Sequence, residues 1–170
     1  MTDTHETAAT AEAETLLEAL AKQRFLLRHT VRDLTDEQAG RRTTASELCL
    51  GGLIKHVAMV EDAWMDFVVD GDDTIAGGGD DREDQFRMLE GETLAGVLAG
   101  YERVARRTEE IVRSLPDLDA SRPLPEAPWF EPGTRWSVRR VLVHVLAETA
   151  QHAGHADIIR ESLDGAKSMG

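Results

Sequence analysis

The chain has 170 residues, of which 41% are hydrophobic and 30% charged, ordinary values for a single globular domain over 1–170. A formal charge of -13 at pH 7 repels phosphate backbones and anionic membrane surfaces, and Lys and Arg are scattered rather than gathered into a stripe, so neither nucleic acid nor membrane is an expected partner. No run approaches the roughly 18 apolar residues that cross a bilayer, the opening stretch MTDTHETAATAEAE lacks the regions of a signal peptide, and a lone cysteine, Cys49, excludes an internal disulfide; a cytoplasmic protein is expected, with Cys49 in its core.

The first helical period runs from about Thr7 to Arg32, with Leu16, Leu17, Leu20, Phe25, Leu26 and Leu27 as its apolar stripe, and DLTDEQ breaks it with turn and capping residues. A second helix is expected from TTASEL, where Thr44 or Ser46 can cap, to about Val69. The acidic DGDDTIAGGGDDRED that follows reads as a loop. Its GGGD lacks the Gly-Lys-Ser/Thr of a phosphate loop, and Ile75 stands where a calcium loop needs glycine. Helix three is expected from about Glu92 to Ser114. The connection from Leu115 to Trp136 holds all five prolines and cannot be helix; a fourth helix follows from about Ser137 to Leu163 and stops at Asp164-Gly165. Four helices of about 20 residues or more, with no β-pattern between them, predict an all-α four-helix bundle with long connections after helices two and three.

The fourth helix carries polar groups where leucines would be expected. On a helical wheel with His144 at zero, Val138, Val141, Val145, Ala156, Ile159 and Leu163 fall at about 60 to 120°, which marks the buried face. His152 at about 80° and Glu148 at about 40° point inward, while His155 and His144 lie on the boundary. On the second helix His56 borders a stripe of Cys49, Leu53, Val57, Val60, Trp64 and Phe67, and Gly52 one turn earlier leaves room beside the imidazole. An ionised carboxylate on a buried edge costs several kcal/mol unless it is paired or bound to a cation. Glu148 and His152, one turn apart, can reach one point, and a divalent ion there would satisfy both, with a third ligand from a facing helix. The alternative is a set of core histidines hydrogen-bonded to neighbours, with Glu148 paired to His152 or to an arginine. Trp129 and Phe130 stand side by side in a connection longer than two antiparallel helices require. They are expected to fold over the metal end and line a substrate pocket, or else to plug the bundle or form a dimer contact.

LGGLIKHVAMVEDAW (Leu50 to Trp64) and, much later, WSVRRVLVHVLAETAQHAGHADIIRESLDG (Trp136 to Gly165) resemble the DinB-like superfamily of four-helix bundles, in particular its actinobacterial-type branch of uncharacterised proteins. The chain also resembles the related mycothiol-dependent maleylpyruvate isomerases. The likeness covers nearly the whole chain, LTDEQAGRRTTASEL included, and HAGHAD followed by Arg160-Glu161 is its most specific part. The resemblance implies a divalent metal, zinc or nickel, held by one histidine of the second helix and two ligands one turn apart on the fourth, which fall on His56, Glu148 and His152. Many members have histidine at the middle position; the glutamate is the pattern of the mycothiol-dependent isomerases. His155 stands where other members often carry glutamine, which leaves its role open; it is the candidate catalytic residue, and in a variant reading, hydrolysis by a metal-bound water, His155 or His144 would serve as base. The function so implied is a metal-dependent thiol S-transferase or isomerase acting on a small molecule, with mycothiol as the thiol. Two other readings stay open: a non-catalytic, metal-stabilised dimeric bundle that binds a small molecule or a protein, and a bundle without metal. A homodimer is the expected assembly.

Overall fold

A computed structural model describes residues 3–71, 75 and 84–168, with side chains from residue 11 onward, so most of the acidic loop expected after the second helix lies outside the described residues. Helix α1 spans Asp3–His29. DLTDEQ does more than break it: Thr35 and Gln38 form a reciprocal capping box that starts a short helix, α2 (Asp36–Gly40). Helix α3 spans Leu50–Asp70 with Cys49 at its N-cap, later than the expected start at Thr44 or Ser46. The Ser46 hydroxyl instead accepts from the Leu48 amide at 3.4 Å and meets the Thr44 hydroxyl at 3.0 Å, so these side chains close a local turn rather than cap a helix. A 3₁₀ turn, Asp84–Phe86, precedes α4 (Leu94–Ser114). Thr93 caps α4 by accepting from the Gly96 amide, which shifts its start two residues past Glu92; the Glu92 carboxylate is engaged by Lys55.

The proline-rich connection corrects the expectation of no β-structure. Strands β1 (Ser121–Pro123) and β2 (Arg135–Ser137) pair antiparallel with Arg122 opposite Trp136. The prolines between them forbid helix and leave extended backbone at both ends free to pair. Arg122 ties this ribbon to the end of α3 by donating from Nε to the Val68 carbonyl at 2.9 Å. Helix α5 (Val138–Asp164) then runs from a Ser137 cap to Gly165, whose φ of 78° is the left-handed conformation that glycine adopts without strain.

The chain is mostly helical, and its four long helices pack side by side, α5 against α1 and α3, and α3 against α4. Two apolar clusters fill the interior. One gathers Leu17, Leu20, Trp64, Met65, Phe67 and Val141; the other gathers Leu27, Leu53, Ile54, Tyr101, Ala156 and Ile159. Cys49 is buried, as expected. Phe25, expected on the apolar stripe of the first helix, is 59% exposed, and its neighbour Arg24 is buried in its place.

Candidate metal centre

Helices α3 and α5 run antiparallel past each other, so that His56 meets His152 and, two turns along α3, Trp64 meets His144. His56, Glu148 and His152 each direct one potential ligand atom to a common point, all within 4.8 Å of one another. The imidazole of His152 places Nε2 3.6 Å from the Glu148 carboxylate, and its ring meets that of His56 edge-on at 4.9 Å. Ligand atoms around a zinc ion, at about 2.0 to 2.2 Å from the metal, stand roughly 3.3 to 3.6 Å apart. With small side-chain rotations the three residues could therefore hold a divalent transition-metal ion through two nitrogens and one oxygen. Burial pushes the His56 imidazole below its ordinary pKa, an effect that His152 reinforces and that Gln85 and Glu148 oppose. Burial likewise lowers His152, with His155 adding to it. Both rings are thus kept neutral at pH 7, the form in which a ring nitrogen can ligate.

The further partners of His56 and His152 come from different elements. The His56 Nδ1 lies 3.2 Å from the Gln85 amide oxygen, and the Phe86 ring stacks on the imidazole at 4.1 Å. The His152 Nδ1 lies 3.4 Å from the Nδ1 of His155, one turn further along α5. His155, expected as a catalytic base, is thereby brought against a member of the triad. The sequence reading missed Gln85 and Phe86, and their only signal was Gly51-Gly52: a Cβ on Gly52 would lie 1.9 Å from the Phe86 carbonyl oxygen, and one on Gly51 would lie 2.3 Å from the Met88 sulfur. Gly52 leaves room for the backbone of the turn, and through it for the ring that covers His56.

His144 lies one helical turn before Glu148, half-buried and edge-on to Trp64 (4.9 Å) and Trp136 (5.2 Å). The two indoles stack on each other at 4.8 Å, and Phe130 closes the cluster at 6.5 Å from Trp64 and 6.0 Å from Trp136. Burial lowers the His144 pKa, and among the described residues its ring nitrogens have no hydrogen-bond partner. Of the two aromatics expected near the site, Phe130 joins this cluster, whereas Trp129 is 51% exposed and touches Phe130 from outside. A separate groove of about 590 Å³ opens between α3 and α4. Of its three cations, Lys55 is engaged by Glu92 and Arg107 by Asp62 and Asp66, and the groove is distinct from the α3/α5 side that carries the histidines. No described helix is long and apolar enough to cross a membrane.

A family model for mycothiol-S-transferase matches residues 15–165. Comparison with curated proteins gives no match.

Proposed function

The chain belongs to the mycothiol-S-transferase family, and from that premise we propose that it is a divalent-metal-dependent S-transferase that moves a small electrophile onto mycothiol or a related low-molecular-weight thiol. The four long helices are read as a four-helix bundle with the active site on its α3/α5 side. The observation that carries this reading is the convergence of His56, Glu148 and His152 within 4.8 Å. A zinc or nickel ion held there would supply open coordination positions for the thiol sulfur and lower the thiol pKa so that the thiolate forms near neutral pH. The chain's own residues do the rest. His56 and His152 present neutral ring nitrogens, kept so by burial. His144, without a hydrogen-bond partner among the described residues, is the imidazole best placed to take the proton that the thiol sheds. His155, with its Nδ1 against that of His152, acts on the site through that ring. Trp64, Trp136 and Phe130 form an apolar wall beside His144 that excludes water from one end of the site and offers a surface to the electrophile.

Metal analysis of untagged protein, purified without added metal, should find about one divalent ion per chain, lost on chelation with a drop in melting temperature. His152→Ala should abolish binding, whereas His144→Ala should keep the ion and lose thiol-transfer activity, followed by mass spectrometry after incubation with mycothiol and an alkylating electrophile. A metal-free protein whose stability ignores chelators would sink the proposal.

A further inference from the structure

The 3₁₀ turn Asp84–Phe86 reaches the centre without belonging to any of the four long helices. It arrives there because α3 opens with Gly51-Gly52, onto which its backbone settles, and Cys49 fastens it further with its sulfur 3.6 Å from the Phe86 carbonyl oxygen. The turn then makes two contacts with one imidazole. Phe86 stacks on His56 at 4.1 Å with 29° between the planes, which fixes the plane of the ring, and Gln85 presents its amide oxygen to Nδ1 at 3.2 Å, which fixes the rotation within that plane.

We infer that Gln85 is a positioning residue that sets the tautomer of His56 and so tightens the centre's hold on its ion; the inference rests on the metal-dependent reading above. A carbonyl oxygen only accepts, so the nitrogen that faces it must carry the proton. In a neutral imidazole this leaves the lone pair on Nε2, the other ring nitrogen, for a ligand. Without the acceptor the two tautomers compete, and the ring is free to turn its N–H toward the ion. Outer partners of this kind commonly change metal affinity by about 10- to 100-fold. His152 differs, because its Nδ1 faces another imidazole, His155, which can donate or accept.

Three variants of the full chain test this. Gln85→Met keeps the bulk of the side chain and removes the acceptor, and should weaken zinc binding tenfold or more in a chelator competition. Gln85→Glu keeps an acceptor and should bind zinc at least as tightly as the parent. Gln85→Lys presents only donors and should bind most weakly. All three should melt within a few degrees of the parent when metal-free, because the residue is half-buried and outside the two apolar clusters. The ¹⁵N shifts of His56 in the metal-free parent should report a protonated Nδ1 and a bare Nε2, with the two states mixed in Gln85→Met. Equal zinc affinity for parent and Gln85→Met, or a parent His56 protonated at Nε2, would overturn the inference. A parent that takes up no zinc but keeps the Nδ1-protonated ring would instead count against the metal-dependent function, so the two failures are told apart.

Discussion

Glu61 is fully buried and faces away from the candidate centre, yet its carboxylate is among the most heavily bonded in the protein. Arg24, itself only 4% exposed, donates to it from Nε at 3.2 Å and again from a terminal nitrogen, and the Thr108 hydroxyl donates at 2.5 Å. One residue each from α1, α3 and α4 is thus joined inside the bundle. Breaking such a pair leaves an uncompensated buried charge, at a cost of about 3 to 5 kcal/mol. Arg24→Met should lower stability by that amount in urea titrations, and the double variant Arg24→Met/Glu61→Leu should recover much of it, because removing both charges also removes the desolvation cost. The sequence held a faint trace of this pair. Glu61 falls at about 140° on the wheel where His56 is zero, just past the apolar stripe, but nothing in the periodicity of one helix names a partner 37 residues away.

At the scale of elements, the ends of α3 and α5 are fastened from outside. Arg160, buried within α5, donates to the Thr30 and Arg32 carbonyls at 2.7 and 2.8 Å and so satisfies backbone groups left open where α1 ends. The Thr43 hydroxyl donates to the Ile159 carbonyl at 3.1 Å, and the Ser162 hydroxyl donates to the Thr43 carbonyl at 2.8 Å, which straps the segment before α3 to the last turns of α5. Such tethers explain why Thr43 and its neighbours form no helix cap. The opening of α3 is the more sensitive end. A methyl group on Gly52 would overlap the Phe86 backbone, which cannot yield as the tip of a side chain can. Gly52→Ala should therefore push the turn away from His56, weakening metal binding tenfold or more while leaving helix content by circular dichroism nearly unchanged. Gly154→Ala, on the open side of α5 with nothing within 4 Å of the added carbon, serves as the control and should be neutral or slightly stabilising.

For the whole molecule, the histidines couple the candidate centre to pH. His56, His144 and His152 all have pKa values lowered from 6.5, each chiefly by burial. As pH falls below about 6.5 the unfolded chain takes up these protons before the folded one does, so stability is full above that pH and declines as the solution is acidified toward the folded values. The urea midpoint of metal-free protein should accordingly fall between pH 7.5 and 5.5, and a midpoint unchanged or higher at pH 5.5 would contradict the burial of these rings. Much of this was legible in the sequence. The period of the apolar residues located the four long helices and turned Glu148, His152 and His56 toward the interior, because a helix repeats about every 3.6 residues and its buried stripe can be read from one segment alone. The start of α3 was less legible than that of α5 at Ser137, since Thr44 and Ser46 have hydroxyls suited to capping and spend them on a local turn. The pairing of β1 with β2, the burial of Arg24 against Glu61 and the arrival of Gln85 and Phe86 at His56 were decided by tertiary structure, beyond the faint traces left by the wheel position of Glu61 and by Gly51-Gly52. Each joins segments whose separation carries no periodic signal, and each depends on where the backbone of another element comes to lie.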